Sequence, residues 1–428
     1  MSDPQDFEAY VAGERLAEQK ETEKLIARID LSALAARASH LRNGIPCHIP
    51  PLRYDHSSRT SVMGNMNYHV HLRFDDGVCW LARIRRCNAE SPPSCLQDYA
   101  MKSEVATLCF LEKTKVPAPK VYDFALEGKD NPVGIGYILM EKMPEKSLRW
   151  SLASADQKEK VASQVAQSYL ELSAHPFQFM GSLDTPNTLS IGDFARESLV
   201  DFTESGMHLL DRCSSAKDFY TEVIRLTLEL IRRGEAYSEE HRVDAYLIHK
   251  FLLDCVPTIF SSPSDNGPFY LKHADEKGDQ ILVDDEYNVT GIIDWEWAYT
   301  TSKLCAFCAP IVFIPVNHFF DGDNRLSDAE VLFAQKLEEG GDLEMAFAVR
   351  NGRIRHRFEF CCGGNLSQWQ DFLGLFEGLR RAMELDEDLS WEAWRETALE
   401  RYGDDGELQL LISGGQTKAP SENVLIHG

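Results

Sequence analysis

The sequence has little basic charge for its size. Its 428 residues include 44 lysines and arginines against 68 aspartates and glutamates, which gives a formal net charge of −24. Proteins that bind nucleic acid or anionic membranes do so through clustered basic residues. The composition therefore predicts that neither is a partner, and it would suit a cationic small molecule.

Other features are absent as well. No run of about 18 apolar residues is present, so no transmembrane helix is expected. The first eight residues lack the basic and apolar regions of a signal peptide. The 11 cysteines are scattered rather than arranged as a disulfide framework, as in a reducing compartment. No glycine pattern of a dinucleotide-binding fold occurs. These absences predict a soluble, cytoplasmic protein.

The most informative segment is residues 273–297. Residues 281–283 form a short apolar run, and residues 289–293 form another that is rich in β-branched side chains. Residues 284–288 between them have the composition of a turn. The segment therefore predicts a β-hairpin.

Carboxylates lie at both ends of this hairpin. Because a hairpin brings its ends together, Asp275 and Gln280 at the entrance are expected near Asp294 at the exit. Asp294 follows two isoleucines, and a carboxylate at the edge of an apolar strand is costly unless it is hydrogen-bonded or binds a metal. Phosphoryl transfer requires one carboxylate to orient a hydroxyl and another to hold magnesium. The spacing of Asp275 and Asp294 therefore indicates phosphoryl transfer.

This segment resembles the catalytic loop and metal-binding motif of the aminoglycoside phosphotransferase and choline kinase group, whose fold is protein-kinase-like. The overall sequence is most similar to fungal members. Ala274 replaces the usual glycine, Gln280 replaces the metal-binding asparagine, and Lys277-Gly278 replaces a histidine and a proline. The matching positions are His273, Asp275, Ile281, Leu282, Val283, Asp284, Ile292, Ile293, Asp294, Trp295 and Glu296.

The resemblance implies roles for several of these residues. Asp275 would be the catalytic residue that orients an acceptor hydroxyl, and His273 would brace its loop. Asp294 and Gln280 would hold Mg²⁺, with ATP or GTP as co-substrate. Gln280 offers an amide oxygen on an arm one methylene longer than asparagine, which changes the geometry available to magnesium.

Residues 61–143 resemble the small lobe of the kinase fold. Strands are expected at 68–74 and 78–84, joined by the Asp76-Gly77 turn, and a helix is expected at 104–113. Two further strands are expected at 120–124 and 137–140. Residues 1–60 are expected to form a helical extension and residues 144–428 a helical C-lobe. The predicted fold is α+β, bilobal and protein-kinase-like.

The small lobe also contains the candidate nucleotide-binding residues. The loop at 61–68 has a single glycine, so it is as consistent with a plain turn as with a phosphate-binding loop. Arg83 occupies the place of the family's phosphate-pairing lysine, and Glu104 is expected to pair with it. An acid in the first turn of a helix is also favoured by the helix dipole. The implied nucleotide-binding residues are Gly64, Asn65, Arg83, Glu104 and, at the hinge between the lobes, Glu141 and Met143.

The rest of the chain is expected to be helical. Helices are predicted at about 156–173, around Val223 and around Leu247, before His273 is reached. Further helices are predicted near 327–340, 366–384 and 390–402. The H-R-D, D-F-G and A-P-E signatures of protein kinases are missing, which favours a small-molecule acceptor. No motif specifies a sugar, an amine or a polyketide.

The sequence therefore predicts an ATP- or GTP-dependent, magnesium-assisted phosphotransferase acting on a hydroxyl of a small molecule. Two alternatives remain because Gln280 and Arg83 depart from the family pattern. One is a pseudokinase-like protein that binds a nucleotide or metabolite without turnover. The other is a kinase-fold enzyme that runs a different reaction in natural-product metabolism.

Overall fold

The computed structural model describes residues 4–57, 59, 62–64, 66–87, 91–143, 146–196, 209–363, 368–385 and 389–414. The strands are β1 (Cys47–His48), β2 (Asn67–Phe74), β3 (Cys79–Arg85), β4 (Val121–Ala125), β5 (Tyr137–Glu141), β6 (Ser182–Leu183), β7 (Ile191–Gly192), β8 (Phe269–Lys272), β9 (Ile281–Val283), β10 (Val289–Ile292) and β11 (Tyr299–Ser302). The helices are α1 (Pro4–Arg28), α2 (Leu31–Leu41), α3 (Ser94–Leu111), α4 (Ala155–Ser173), α5 (Ala216–Arg233), α6 (Arg242–Ile259), α7 (Lys303–Ala306), α8 (Val316–Phe320), α9 (Asp328–Glu339), α10 (Leu343–Arg350), α11 (Arg353–Cys362), α12 (Trp369–Ala382), α13 (Trp391–Arg401) and α14 (Gly406–Gly414). Among these described helices, none has the length and apolar character needed to cross a membrane.

The chain forms two compact units. Unit 1 comprises Met1–Arg149, Ser182–Glu197 and Asp279–Ala298. Unit 2 comprises Trp150–Gly181, Ser198–Gly278 and Tyr299–Gly428. Unit 1 contains the largest sheet and unit 2 contains most of the helices, so the predicted α+β class is confirmed.

A five-stranded antiparallel sheet, in the order β1-β2-β3-β5-β4, forms the centre of unit 1. The predicted hairpin is present as β2–β3, with Leu72 opposite Trp80. Gly77 adopts φ +85° in its turn and donates its N–H to the Phe74 carbonyl at 2.9 Å. Alternate residues of β2 are buried, because successive side chains of a strand point to opposite faces.

Helices α1 and α2 lie within residues 1–60, which were expected to form a helical extension, and strand β1 of the sheet lies there as well. Asp30 caps α2 by accepting a hydrogen bond from the Ala33 N–H at 2.9 Å. Leu25 of α1 and Leu34 of α2 belong to the same apolar core as Val70 of the sheet. This burial accounts for the attachment of the two helices to unit 1.

The second predicted hairpin is also present, as β9 and β10. Ile292 lies opposite Ile281, and Asp284 accepts hydrogen bonds from the backbone and side chain of Asn288 in the turn, each at 2.7 Å. All three residues of β9 are buried. The apolar runs identified in the sequence therefore pair as expected.

Unit 2 is mainly helical, with one short antiparallel pair formed by β8 and β11. Helix α4 begins at a capping box made by Ser154 and Gln157, and Val161 and Val165 lie on its buried face. Helices α9, α12 and α13 lie where the sequence predicted helices in the tail.

Candidate active site

Strand β3 carries Arg83 into a cluster of carboxylates. Its Nη1 lies 2.7 Å from Asp294 Oδ1, its Nη2 lies 3.2 Å from Glu296 Oε1, and its Nε lies 3.4 Å from Glu104 Oε1. Its side chain is 7% exposed. Each of the three guanidinium nitrogens thus faces a different carboxylate, because the planar guanidinium spreads its donors over three separate atoms.

The Arg83–Glu104 pair predicted from the sequence is present, but Glu104 does not open its helix. Helix α3 begins at Ser94, directly after Pro93, so Glu104 lies in its middle and the helix-dipole explanation does not apply. Burial raises the pKa of Glu104, and the carboxylates of Glu296 and Asp294 add to this effect while Arg83 opposes it. Burial opposes the charge of Arg83, but the facing carboxylates outweigh it and hold its pKa above the usual value.

Glu296 is held on both of its oxygens. Oε1 faces Arg83, while Oε2 accepts hydrogen bonds from Arg85 Nη1 at 2.8 Å and Asn67 Nδ2 at 3.0 Å. The segment that contains Asp294 and Glu296 is therefore attached to strands β2 and β3. The sequence identified Glu296 only as a matching position and did not predict these contacts.

Asp294 lies two residues beyond the end of β10 and adopts φ +67°, in the left-handed region that aspartate tolerates better than most residues. The next residue, Trp295, is buried and donates its Nε1–H to the Ile292 carbonyl at 2.8 Å. Ile293 donates its N–H to the Gln280 carbonyl at 3.0 Å, which places Gln280 and Asp294 at the same end of the hairpin. The Gln280 side chain is buried, whereas that of Asp294 is 47% exposed.

Glu141 and Met143 lie at the end of β5. The Glu141 N–H donates to the Lys120 carbonyl at 2.8 Å. The Met143 side chain covers Gly291 of β10, where an added Cβ would lie 2.7 Å from Met143 Cε. Gly64 donates its N–H to the Asn67 carbonyl at 2.9 Å, and its predicted neighbour Asn65 lies outside the described residues.

Asp275 lies in unit 2, in the loop that follows β8. Its N–H donates to His273 Nδ1 at 3.1 Å, which is the kind of contact that the expected bracing role of His273 requires. Lys277 Nζ lies 3.1 Å from the Asp275 carboxylate. Gly278 adopts φ +106°, and an added Cβ would lie 2.5 Å from Val312 Cγ2, which explains the glycine where the family has proline.

A buried polar network lies beside this loop. Lys272 Nζ, with a side chain 6% exposed, is 2.7 Å from Glu359 Oε2, and Tyr299 donates to Glu359 Oε1 at 3.0 Å. Glu276 accepts a hydrogen bond from Tyr169, and burial raises the pKa of Glu276 to about 7. This network was not predicted from the sequence. The signals that could have indicated it are Lys272 at the end of an apolar strand and Glu359 between two phenylalanines.

The possible metal ligands around Asp294 are too few to bind a hard cation without help from a substrate. Among the described residues, no group of three or more His, Cys, Asp or Glu side chains is placed to hold a metal. Magnesium is usually bound by one or two carboxylates together with substrate phosphates rather than by an all-protein cage. The Asp294 carboxylate, which is 47% exposed, fits that mode, although Arg83 already places a cation at it.

Comparison with known proteins identifies relatives of this chain. A family model described as the phosphotransferase enzyme family matches residues 64–301. A subtelomeric hrmA-associated cluster protein of Aspergillus fumigatus is 33% identical over 123 residues, which cover 28% of this chain and 23% of that protein. The clavilactone A biosynthesis cluster protein Y of Ampulloclitocybe clavipes is 23% identical over 68% of this chain and 72% of that protein.

Solved structures of similar proteins include a streptomycin–ATP–APH(2″)-IIa ternary complex and an ethanolamine kinase from Plasmodium vivax. The first is 13% identical with a TM-score of 0.43, over 82% of this chain and 96% of that chain. The second is also 13% identical, with a TM-score of 0.42, over 86% of this chain and 81% of that chain.

Proposed function

The chain belongs to the phosphotransferase enzyme family, and from this premise we propose that it transfers the γ-phosphoryl group of ATP or GTP to a hydroxyl of a small molecule. The observation that carries the proposal is the buried Arg83–Glu104 pair beside Asp294. Phosphoryl transfer in kinases depends on an ion pair between a cation of the sheet and an acid of the neighbouring helix, together with a carboxylate that holds magnesium.

The residues of unit 1 would bind the nucleotide. The backbone of Glu141 and Met143 would contact the base, and Arg83 and the loop containing Gly64 and Asn65 would contact the phosphates. Asp294 and Gln280 would hold Mg²⁺, which when bound neutralises charge on the transferred phosphoryl group. In unit 2, Asp275 would accept or orient the acceptor's proton, with Lys277 steadying its carboxylate at 3.1 Å.

The proposal is tested by the melting temperature with Mg-ATP and with Mg-GTP, for wild type and for Asp294→Ala. At about 100 times its dissociation constant, a ligand adds about 2.7 kcal/mol to the native state. We expect a magnesium-dependent rise in wild type that Asp294→Ala abolishes. No rise with either nucleotide over a wide concentration range would contradict the proposal.

A second prediction concerns Gly291. In Gly291→Ala the new methyl group would press on Met143 Cε, at 2.7 Å, and push aside the end of that side chain, which belongs to the segment proposed to contact the base. We expect nucleotide affinity to fall roughly 3- to 10-fold, from a packing cost of about 1 kcal/mol. Gly128→Ala is the matched control, because no atom lies within 4 Å of its added Cβ. Calorimetric titration with Mg-ATP measures both, and equal affinities would remove Gly291 from the nucleotide site.

A second candidate function is the binding of a nucleotide or metabolite without turnover. The direct Arg83–Asp294 ion pair at 2.7 Å favours it, because it engages the carboxylate that would hold magnesium. Such a protein would show the rise in melting temperature but would form no product with any acceptor.

A further inference from the structure

Glu276 directly follows Asp275 in the loop beyond β8, and it is attached to two other elements of unit 2. Its side chain accepts a hydrogen bond from the Tyr169 hydroxyl of α4. Its carbonyl accepts a hydrogen bond from the Val312 N–H at 3.1 Å, in the single 3-10 turn Ile311–Phe313. Residue 276 is therefore held through both its side chain and its backbone, one position from the carboxylate proposed to orient the acceptor.

Tyr169 is itself held firmly. Its side chain is buried, and its ring centroid lies 5.3 Å from that of Phe333 and 5.8 Å from that of Phe307. Burial, together with the Glu276 carboxylate, raises the pKa of Tyr169 well above its usual value, so its hydroxyl stays protonated. Because the packed ring fixes the direction of the hydroxyl, Tyr169 is a rigid hydrogen-bond donor aimed at Glu276.

Glu276 has a charge that is sensitive to pH. Burial raises the pKa of Glu276 to about 7, and the carboxylates of Glu359 and Asp275 add to this effect, while Lys272 and the Tyr169 hydroxyl oppose it. This carboxyl therefore gains or loses its proton near neutral pH.

The other groups that face Glu276 keep their charge there. Burial raises the pKa of Cys308, so its thiol stays neutral. Burial opposes the charge of Lys272, but the facing Cys308 and Glu359 outweigh it and hold the pKa of Lys272 above its usual value. Burial likewise opposes the charge of Glu359, but Lys272 outweighs it and lowers the pKa of Glu359. Among these described groups, Glu276 is the one whose charge changes near pH 7.

The charge of Glu276 decides how firmly its side chain is held. In the ionised form it accepts the hydrogen bond from Tyr169 and is attracted by the Lys272 ammonium. Protonation removes that attraction and adds an O–H group that needs an acceptor of its own. The backbone beside Asp275 then loses part of its support, and a displacement of about 1 Å in a reacting group can lower a rate roughly 100-fold.

We propose that Glu276 is a positioning residue, which in its ionised form is held by Tyr169 and Lys272 and thereby fixes the loop so that Asp275 meets the acceptor hydroxyl. The inference rests on the proposed function, in which Asp275 orients that hydroxyl. It gives a role in the reaction to the part of the buried network of unit 2 that touches the loop.

The experiment measures the rate of γ-phosphate transfer from Mg-ATP to water from about pH 5 to pH 9. In wild type, kcat should fall as the pH drops through about 7, because Glu276 takes up a proton. In Glu276→Gln this acid limb should vanish, and kcat above it should be roughly 10- to 100-fold below wild type with an unchanged KM for Mg-ATP. In Tyr169→Phe the limb should move to higher pH, because the lost hydrogen bond lowers the pKa of Glu276 in wild type.

Tyr402→Phe is the matched control, because it removes a hydroxyl that donates to the Asp254 carboxylate at 2.9 Å elsewhere in unit 2. It should leave both kcat and the acid limb at their wild-type values. If Glu276→Gln does not fold, the shift of the limb in Tyr169→Phe decides the question.

Two results would overturn the inference alone: a wild-type profile without an acid limb near pH 7, or a limb that stays at its wild-type pH in Glu276→Gln or Tyr169→Phe. Such a limb would belong to another group, such as His273. Wild type that transfers phosphate neither to water nor to any compound in a panel of alcohols would instead overturn the proposed function, and the inference with it.

Discussion

Replacing Asp275 with asparagine is expected to lower the rate of phosphoryl transfer roughly 10²- to 10⁴-fold while nucleotide affinity stays at the wild-type value. The amide has nearly the same size but cannot accept the acceptor's proton. The backbone N–H of residue 275 can still donate to His273, so the loop should keep its shape. Initial rates of ADP or GDP formation with an acceptor, and calorimetric nucleotide binding, separate the two effects.

Asp279→Asn is the control for this variant, because Asp279 is an exposed acid four residues further along the chain. It should keep the wild-type rate. If Asp275→Asn retained full activity, Asp275 would not be the catalytic residue. If both variants lost activity equally, the loss would reflect the loop rather than the Asp275 carboxylate.

The second large expected effect is a loss of folding stability when the buried Lys272–Glu359 pair is broken. Removing one partner leaves the other charge buried without its counter-ion, and such changes cost about 3–5 kcal/mol. Lys272 is 6% exposed and Glu359 23% exposed, so little solvent is available to replace the lost partner. We expect Lys272→Met and Glu359→Leu each to lower the free energy of unfolding by about 3 kcal/mol in urea titrations.

The double variant carrying both changes should recover part of that loss, because neither charge of the Lys272–Glu359 pair is then left without the other, although Glu276 still loses the cation that faces it. A control pair is Glu222 and Arg225 on α5, whose side chains are 49% and 62% exposed. Removing either of these should cost less than about 1 kcal/mol. A loss of that small size from Lys272→Met would show that the buried pair does not hold unit 2 together.

Local features of the fold could be predicted from the sequence. The two hairpins are specified by alternating or continuous apolar runs on either side of turn residues, and both are present, as β2–β3 and β9–β10. Helix α4 was predicted because Val161, Val165, Tyr169 and Leu172 recur at helical spacing. The Arg83–Glu104 pair was predictable only because the resemblance to the family suggested which strand and helix are neighbours.

Features that depend on distant contacts could not be predicted. The start of α3 was missed because its first turns mix polar residues with Leu96, Tyr99 and Met101, and its buried run begins only at Ser103. The contacts of Arg83 and Arg85 with Glu296 join residues 211 or more positions apart, and no periodicity relates them. The Lys272–Glu359 pair, 87 positions apart, was missed for the same reason.

Transfer of a phosphoryl group from the nucleotide to a small molecule is tested most directly by following the γ-phosphate itself. The protein is incubated with magnesium and γ-labelled ATP or GTP, together with a panel of small molecules bearing hydroxyl groups, and products are separated by mass spectrometry. We expect a labelled phosphomonoester that is absent with Asp275→Asn and with Asp294→Ala. Tight binding of Mg-nucleotide without transfer of label to any acceptor or to water would contradict it and favour a binding protein.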